Sequence, residues 1–291
     1  MSAGISKGGS DIHRGKDKRI LIAAVAVIVV VVVVLSVLYI VPALKSNNSD
    51  VVMGQYMKIS NSDLLSNNTS AIYFISWYGC PYGADNSWVL YDLINSTKNI
   101  SGDVVLHTSA PFDFYNNTPA LLFLGSSGMG SYGMNTTFSL GGVSFNFESF
   151  YMYNQTLTGT VKNTPINSTD LTSVGLSELK ATLPLAIYNT AMKYQTQVKL
   201  QNYSKPIADV EGHLVTMEII TGPNGAFVHF GFMFQPDGVI RTGPFDTSQG
   251  NYGDPMSSSY VFSHYKNMTG INSGKESLID ILTTVNAACL P

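Results

Sequence analysis

The chain has 291 residues, a formal net charge of −3 and charges on only 12% of its side chains. This length allows one or two domains with a sizeable core. Two cysteines exclude a disulfide-rich scaffold, because they allow at most one intramolecular bridge.

An N-terminal apolar segment predicts a membrane anchor. Residues 20–44 carry no charge, and about 20 apolar residues suffice to span a bilayer. A cleavable signal peptide has a shorter apolar region and a small-residue cleavage site, which the following PALKSNNSD lacks. Five basic residues precede the segment, and only Lys45 follows closely. The positive-inside rule therefore predicts a single-pass cell-membrane protein with a cytoplasmic stub over 1–19, a linker over 45–55 and an extracellular C-terminal domain.

The predicted extracellular part gains its polarity from Asn, Ser, Thr, Gly and Tyr more than from charges. Because few carboxylates are present to titrate, the charge of this surface would change little as pH falls, so an acidic habitat is a reasonable hypothesis. Eleven Asn-x-Ser/Thr sequons favour a heavily glycosylated surface protein. The candidate glycosylation sites are Asn47, Asn67, Asn68, Asn95, Asn99, Asn116, Asn135, Asn154, Asn167, Asn202 and Asn267.

The predicted extracytoplasmic domain, residues 56–291, begins with alternating strands and a helix. We predict a short strand over Tyr56–Ser60, a central strand over Ala71–Ser76, a helix over Ala84–Lys98 and a second strand over Asp103–Thr108. A strand, a crossover helix and a strand of these lengths form a right-handed βαβ unit.

The amino-acid composition changes over about 109–175. This stretch is rich in Gly, Asn, Ser, Thr and aromatic residues, which predicts an insertion of strands and loops. Helical sequence follows over Leu176–Tyr194 and is kinked or broken at Pro184. A strand led by Pro206 comes next, then a hairpin around GPNG and a last helix.

The stretch WYGCPYGADNSW follows the central strand and opens the first helix. It resembles the active-site turn of thioredoxin-like proteins, Trp-x-x-Cys-Pro-x-Cys, with Trp77, Cys80 and Pro81 in matching positions. The order of elements is also the thioredoxin order. The resemblance implies an α/β thioredoxin-like fold with a β/loop-rich insertion, preceded by one N-terminal transmembrane helix. Gly83 stands where the second cysteine is expected, which argues against dithiol chemistry.

More narrowly, residues 55–290 resemble an archaeal family of membrane-anchored proteins, domain of unknown function 929. The family has no assigned activity, so this resemblance implies a fold and not a reaction. The positions that match its gCPyxAadSW-type turn are Gly79, Cys80, Pro81, Tyr82, Ala84, Asp85, Ser87 and Trp88.

Cys80 has three alternative roles. The dipole and unpaired N–H groups at a helix N-terminus stabilise a thiolate, so a low pKa and monothiol exchange are one alternative. A bridge to Cys289 is the second, and a redox-silent thiol is the third. The sequence favours the silent thiol, because the resolving cysteine is missing and no general base is evident near the turn.

Thioredoxin-like folds also place a cis-proline loop against the cysteine turn. Pro206 is our candidate for that proline, with Thr118-Pro119 as the alternative. An ordinary trans proline at the start of an edge strand explains Pro206 equally well.

Other motifs predict no cofactor or metal. The G-x-G-x-x-G match at residues 128–133 is not followed by helix-like sequence, which a dinucleotide site requires. His107, His213, His229 and His264 lack metal-ligand spacing, and no nucleic-acid motif is present.

Two functions from different classes follow. We favour a non-catalytic binding or structural module of the cell envelope, with envelope proteins or surface glycans as partners besides the membrane. Its single-cysteine domain would be a degenerate thioredoxin. The alternative is an enzyme, a monothiol thiol–disulfide oxidoreductase that acts on exported proteins through Cys80.

Overall fold

The computed structural model describes residues 51–66, 69–113, 115–236, 240–246 and 251–286. These residues belong to one compact unit. The predicted cytoplasmic stub and transmembrane helix lie outside them. Within the described part, no helix is both long and apolar enough to cross a membrane.

The described residues form ten strands and six helices of four or more residues. The strands are β1 (Met57–Ser60), β2 (Ser70–Ser76), β3 (Val104–Thr108), β4 (Pro119–Phe123), β5 (Asn135–Leu140), β6 (Val143–Tyr151), β7 (Met217–Gly222), β8 (Gly225–Phe230), β9 (Arg241–Asp246) and β10 (Asn251–Pro255). The helices are α1 (Pro81–Asn95), α2 (Leu171–Thr182), α3 (Leu185–Thr196), α4 (Ile207–Glu211), α5 (Ser258–His264) and α6 (Thr269–Val285).

A mixed six-stranded sheet forms the centre of this α/β fold, in the order β1-β8-β7-β2-β6-β5. Strand β2 pairs in parallel with β6 and antiparallel with β7. The other neighbours in this sheet are antiparallel. Two hairpins, β3–β4 and β9–β10, pair separately from this sheet.

Helices cover both faces of the sheet because β2 is apolar on both of its faces. Ile72 and Phe74 belong to a core that includes side chains of α1 and α6. Ala71, Tyr73 and Ile75 belong to a second core, which includes side chains of α2, α3 and α4. All seven residues of β2 are buried, as a central strand between two helical layers requires.

Several predicted elements are confirmed. The central strand, the helix after the cysteine turn and the β7–β8 hairpin are present where the sequence predicts them. Pro184 separates two helices, α2 and α3, since proline cannot continue the helical hydrogen bonds.

The predicted parallel partner of the central strand was wrong. Asp103–Thr108 contributes β3, but among the described strands β3 pairs only with β4. The parallel partner of β2 is β6, in register from Ser70 opposite Phe145 to Ser76 opposite Tyr151. The hairpin β3–β4 and strand β5 therefore come before the second parallel strand, whereas we expected the inserted residues to follow it.

The predicted role of Pro206 was also wrong. All peptide bonds among the described residues are trans, so neither Pro206 nor Pro119 is a cis-proline. Pro206 precedes the five-residue helix α4 and not a strand. Its extended backbone and its carbonyl, which accepts from the Asp209 and Val210 N–H groups, suit the residue that begins a helix.

Candidate functional site

The cysteine turn joins the end of β2 to the start of α1. Cys80 is the residue before the helix, and Pro81 is its first residue, where the missing N–H of proline costs no helical hydrogen bond. The Gly79 carbonyl accepts from the Ala110 N–H at 2.8 Å. A Cβ at Gly79 would lie 2.2 Å from the Gln155 carbonyl oxygen, so only glycine fits there. Two loops therefore hold the turn in place.

Cys80 carries a free thiol that is only 3% exposed. Burial raises the pKa of Cys80, and hydrogen bonds from the Thr216 hydroxyl and the backbone of Gly83 oppose this rise without cancelling it. This direction argues against the low-pKa alternative, because desolvation of the thiolate outweighs its stabilisation at the helix N-terminus. Cys289 lies outside the described residues.

Gly83, at the position of the expected second cysteine, has no room for a side chain. A Cβ there would lie 2.2 Å from the Ser76 Oγ and 3.0 Å from the Thr216 Oγ1. These two hydroxyls are buried and share a hydrogen bond of 2.7 Å. The site therefore holds a hydroxyl pair where a dithiol turn would hold its second thiol.

Asn86, in the second turn of α1, belongs to a buried polar network. Its amide nitrogen donates to the Glu218 Oε1 at 2.8 Å and to the Gly231 carbonyl at 2.9 Å, and its oxygen accepts from the Met233 N–H. Glu218 also contacts the His229 Nδ1 at 2.8 Å. This network connects the start of α1 to β7, β8 and the loop that follows β8.

Ser87 and Trp88 connect the same helix to β4. The Ser87 hydroxyl accepts from the Leu121 N–H at 2.9 Å, and the Trp88 indole donates to the Pro119 carbonyl at 2.9 Å. Both side chains are fully buried. Ser87 and Trp88 of the turn motif therefore have a structural role.

A cleft of about 440 Å³ opens beside the turn. Its volume lies in the range of small-molecule sites. The described residues that line it include four aromatic side chains, two carboxylates and a histidine, with no lysine or arginine. These are Trp77, Tyr82, Phe112, Tyr115, Asp113, Glu211 and His213, and Cys80 and Pro81 contribute the turn itself.

The two carboxylates differ in their surroundings. Burial raises the pKa of Asp113, against backbone hydrogen bonds and the nearby charge of Arg241. Glu211 is exposed at the end of α4. Its charge is the smallest of the contributions that raise the pKa of Tyr82, and burial is the largest.

His213 lines the cleft with a ring whose charged form is disfavoured by burial. Burial lowers its pKa, and the nearby Glu211 opposes this effect. Its Nδ1 lies 2.8 Å from the Glu211 carbonyl, which can only accept a hydrogen bond. Neutral His213 therefore carries its proton on Nδ1, and Nε2 is the acceptor.

The backbone of Val215, one of the residues that line the cleft, is paired with a side chain. Gln195 of α3 is fully buried, donates to the Val215 carbonyl at 2.7 Å and accepts from the Val215 N–H at 3.1 Å. Val215 also lines the cleft. The Val215 N–H is therefore not available to an extended peptide unless Gln195 moves.

The other predicted positions are spread over the fold. Of the two proline candidates, Pro206 does not line the cleft and Pro119 starts β4. Among the described residues, no group of three or more metal-ligating side chains could hold a metal ion. The residues of the G-x-G-x-x-G match form turns and coil, without the helix of a dinucleotide site.

The sequons differ in accessibility. Asn95 and Asn154 are half-buried, and their amides donate to Tyr265 and Thr158 side chains. The first three sequons lie outside the described residues. The exposed ones are Asn99, Asn116, Asn135, Asn167, Asn202 and Asn267.

Comparison with known families covers most of the chain. The family model described as "Domain of unknown function (DUF929)" matches residues 55–286. The chain belongs to this family. No curated protein and no solved structure matches it.

This DUF929 domain contains cleft residues that the sequence analysis missed. Phe112, Asp113 and Tyr115 lie in the loop between β3 and β4, and Glu211 and His213 lie at and after the end of α4. They come together with the cysteine turn only through the tertiary fold. No local motif marks them. Phe112 differs from an aromatic residue of the core in its exposure, which the structure shows and the sequence does not.

Proposed function

We propose that this protein is a membrane-anchored cell-surface binding module and not an oxidoreductase. One transmembrane helix would hold a thioredoxin-like domain outside the cell, where the cleft beside Cys80 receives a ligand. The observation that carries this proposal is that the Cys80 thiol is buried and that no side chain fits at Gly83, where a second thiol would lie.

The order of elements supports a thioredoxin-like scaffold. Strand β2, helix α1 and the parallel strand β6 are followed by α2 and α3, the antiparallel hairpin β7–β8 and the final helix α6. This is the strand, helix, strand, helix, hairpin, helix order of thioredoxin. The hairpin β3–β4 and strand β5 are additions between α1 and β6.

The thiol chemistry supports binding without turnover. Exchange with a disulfide requires an accessible thiolate, and release of the mixed disulfide normally requires a second thiol nearby. The thiol of Cys80 is buried and its pKa is raised. The position of the second thiol is occupied by hydroxyls.

Thiol–disulfide exchange tests this proposal. The full chain with Cys289→Ser, in which Cys80 is the sole thiol, is incubated with glutathione disulfide and read by intact mass. We expect the folded protein to stay unmodified and the urea-unfolded protein to form the mixed disulfide. Rapid modification of the folded protein would overturn the proposal and favour monothiol exchange through Cys80.

The proposed topology has its own test. Protease added to intact cells should digest the part after residue 45, and enzymatic deglycosylation should lower the mass of the purified chain. A protected C-terminal domain without glycans would refute the extracellular location.

A further inference from the structure

We propose that the cleft beside Cys80 binds a small organic cation with an ammonium group, an inference that rests on the proposed binding function. The cleft combines aromatic side chains with carboxylates, and the described residues that line it include no lysine or arginine. Aromatic faces attract organic ammonium ions, and carboxylates in a cleft raise the local concentration of cations.

Phe232 supports two of the aromatic side chains that line the cleft. Phe232 packs edge-on against both Tyr82 and Tyr115, with ring centroids 4.7 Å and 4.9 Å apart. Tyr82 and Tyr115 therefore share one aromatic support. Phe112 also lines the cleft and is 61% exposed, so the core does not require it. Its ring is available to a cation, which the negative π face attracts.

Glu211 gives the cleft an available negative charge. It is exposed at the end of α4 and forms no ion pair with any described residue. The nearby positive charge of Arg241 offsets part of the negative charge that Asp113 can contribute. The Arg241 guanidinium donates to the Asn116 and Gly253 carbonyls and does not line the cleft. The charge at the cleft therefore favours a cation.

Trp77 adds a buried donor without a partner. Its side chain is 4% exposed, and the indole N–H has no hydrogen-bond partner among the described residues. A buried donor left unpaired is costly to the fold, and this nitrogen is not accessible to solvent from the cleft. The groups that an ammonium ion such as choline would contact are therefore the aromatic rings and carboxylates that line the cleft.

A small ligand fits better than an extended peptide. The side chain of Gln195 already occupies both backbone groups of Val215. The cleft volume of about 440 Å³ suits a compact molecule.

The test is a calorimetric titration of the full chain in non-ionic detergent with choline. Its neutral isostere, 3,3-dimethylbutan-1-ol, has the same shape without the charge. We expect saturable binding of choline and about tenfold weaker binding of the isostere. We expect Glu211→Gln and Phe112→Ala each to weaken choline binding about fivefold.

Matched variants outside the cleft control for general effects. Glu276→Gln and Leu185→Ala make similar changes at exposed positions on α6 and α3 and should leave choline affinity unchanged. Far-ultraviolet circular dichroism and thermal unfolding show whether each variant is folded.

Three results would overturn the cation proposal. They are absence of saturable choline binding, equal affinity for the isostere, and binding of a lysine-containing peptide without binding of choline. None of these results changes the exchange measurement on Cys80. A reactive Cys80 would instead remove the proposed binding function, whatever the cleft binds.

Discussion

The Ser76 Oγ and the Thr216 Oγ1 lie 2.7 Å apart in a buried hydrogen bond that fills the space beside Gly83. The pair connects the end of β2 to the residue before β7. The Thr216 hydroxyl also hydrogen-bonds to Cys80, yet burial still raises the pKa of that thiol. The two hydroxyls and the thiol at this turn are therefore buried together and hydrogen-bonded to one another.

Gly83→Ala should destabilise the domain. Alanine in a helix is normally favoured over glycine by about 1 kcal/mol. Here the new Cβ would lie 2.2 Å from the Ser76 Oγ. We expect the free energy of unfolding to fall by about 2 kcal/mol, measured by urea denaturation.

The double variant Ser76→Ala with Gly83→Ala provides the control. It removes the hydroxyl that the new methyl group would meet, so it should be more stable than Gly83→Ala alone. Gly102→Ala, where a Cβ meets open space, should change stability by less than about 0.5 kcal/mol. A Gly83→Ala protein as stable as wild type would show that the site is not closed.

Asn86→Ala should cost more stability than an ordinary surface substitution. It removes the amide donor of Glu218, a fully buried carboxylate, and the acceptor of the Met233 N–H. We expect a loss of about 2–4 kcal/mol by chemical denaturation. Asn272→Ala, which removes one surface hydrogen bond to the Lys266 carbonyl, should cost less than about 1 kcal/mol. Equal losses would contradict a structural role for Asn86.

Gln195→Met should loosen the rim of the cleft. Methionine has a similar size but leaves both the N–H and the carbonyl of buried Val215 unpaired. We expect about 2–4 kcal/mol lower stability and faster hydrogen exchange of the Val215 amide. Wild-type exchange protection in the variant would show that Gln195 does not hold this segment.

His213 should make the domain less stable in mild acid. Burial lowers the pKa of His213, so the unfolded chain binds the proton first as pH falls below about 6.5. The free energy of unfolding therefore decreases between the ordinary pKa and the lowered one, and this contribution becomes constant at lower pH. The wild type should therefore lose more Tm than His213→Gln when the pH falls from about 8 to about 5. A difference independent of pH would contradict this sign.

The sequence predicted the elements with strong local patterns. The buried central strand, the proline break between α2 and α3 and the β7–β8 hairpin each depend on nearby residues, so local chemistry determines them. Strand pairing was less predictable. Val104–Thr108 and Val143–Tyr151 both have strand-like composition, and only the completed sheet shows which one pairs with β2.

The candidate site was predictable only at the turn. Trp77, Cys80 and Pro81 form one short motif, whereas the opposite wall comes from the β3–β4 loop and the end of α4. The pKa of Cys80 also depended on tertiary packing. The helix N-terminus is visible in the sequence, but the burial that outweighs it is not.

The alkylation rate of Cys80 as a function of pH tests the central claim most directly. In the folded full chain with Cys289→Ser, we expect slow modification by iodoacetamide and a thiol pKa above the ordinary value of about 8.5. Unfolding in urea should restore the rate and pKa of a free cysteine. Fast alkylation of the folded protein with a pKa well below about 8.5 would contradict the account and identify Cys80 as a reactive thiolate.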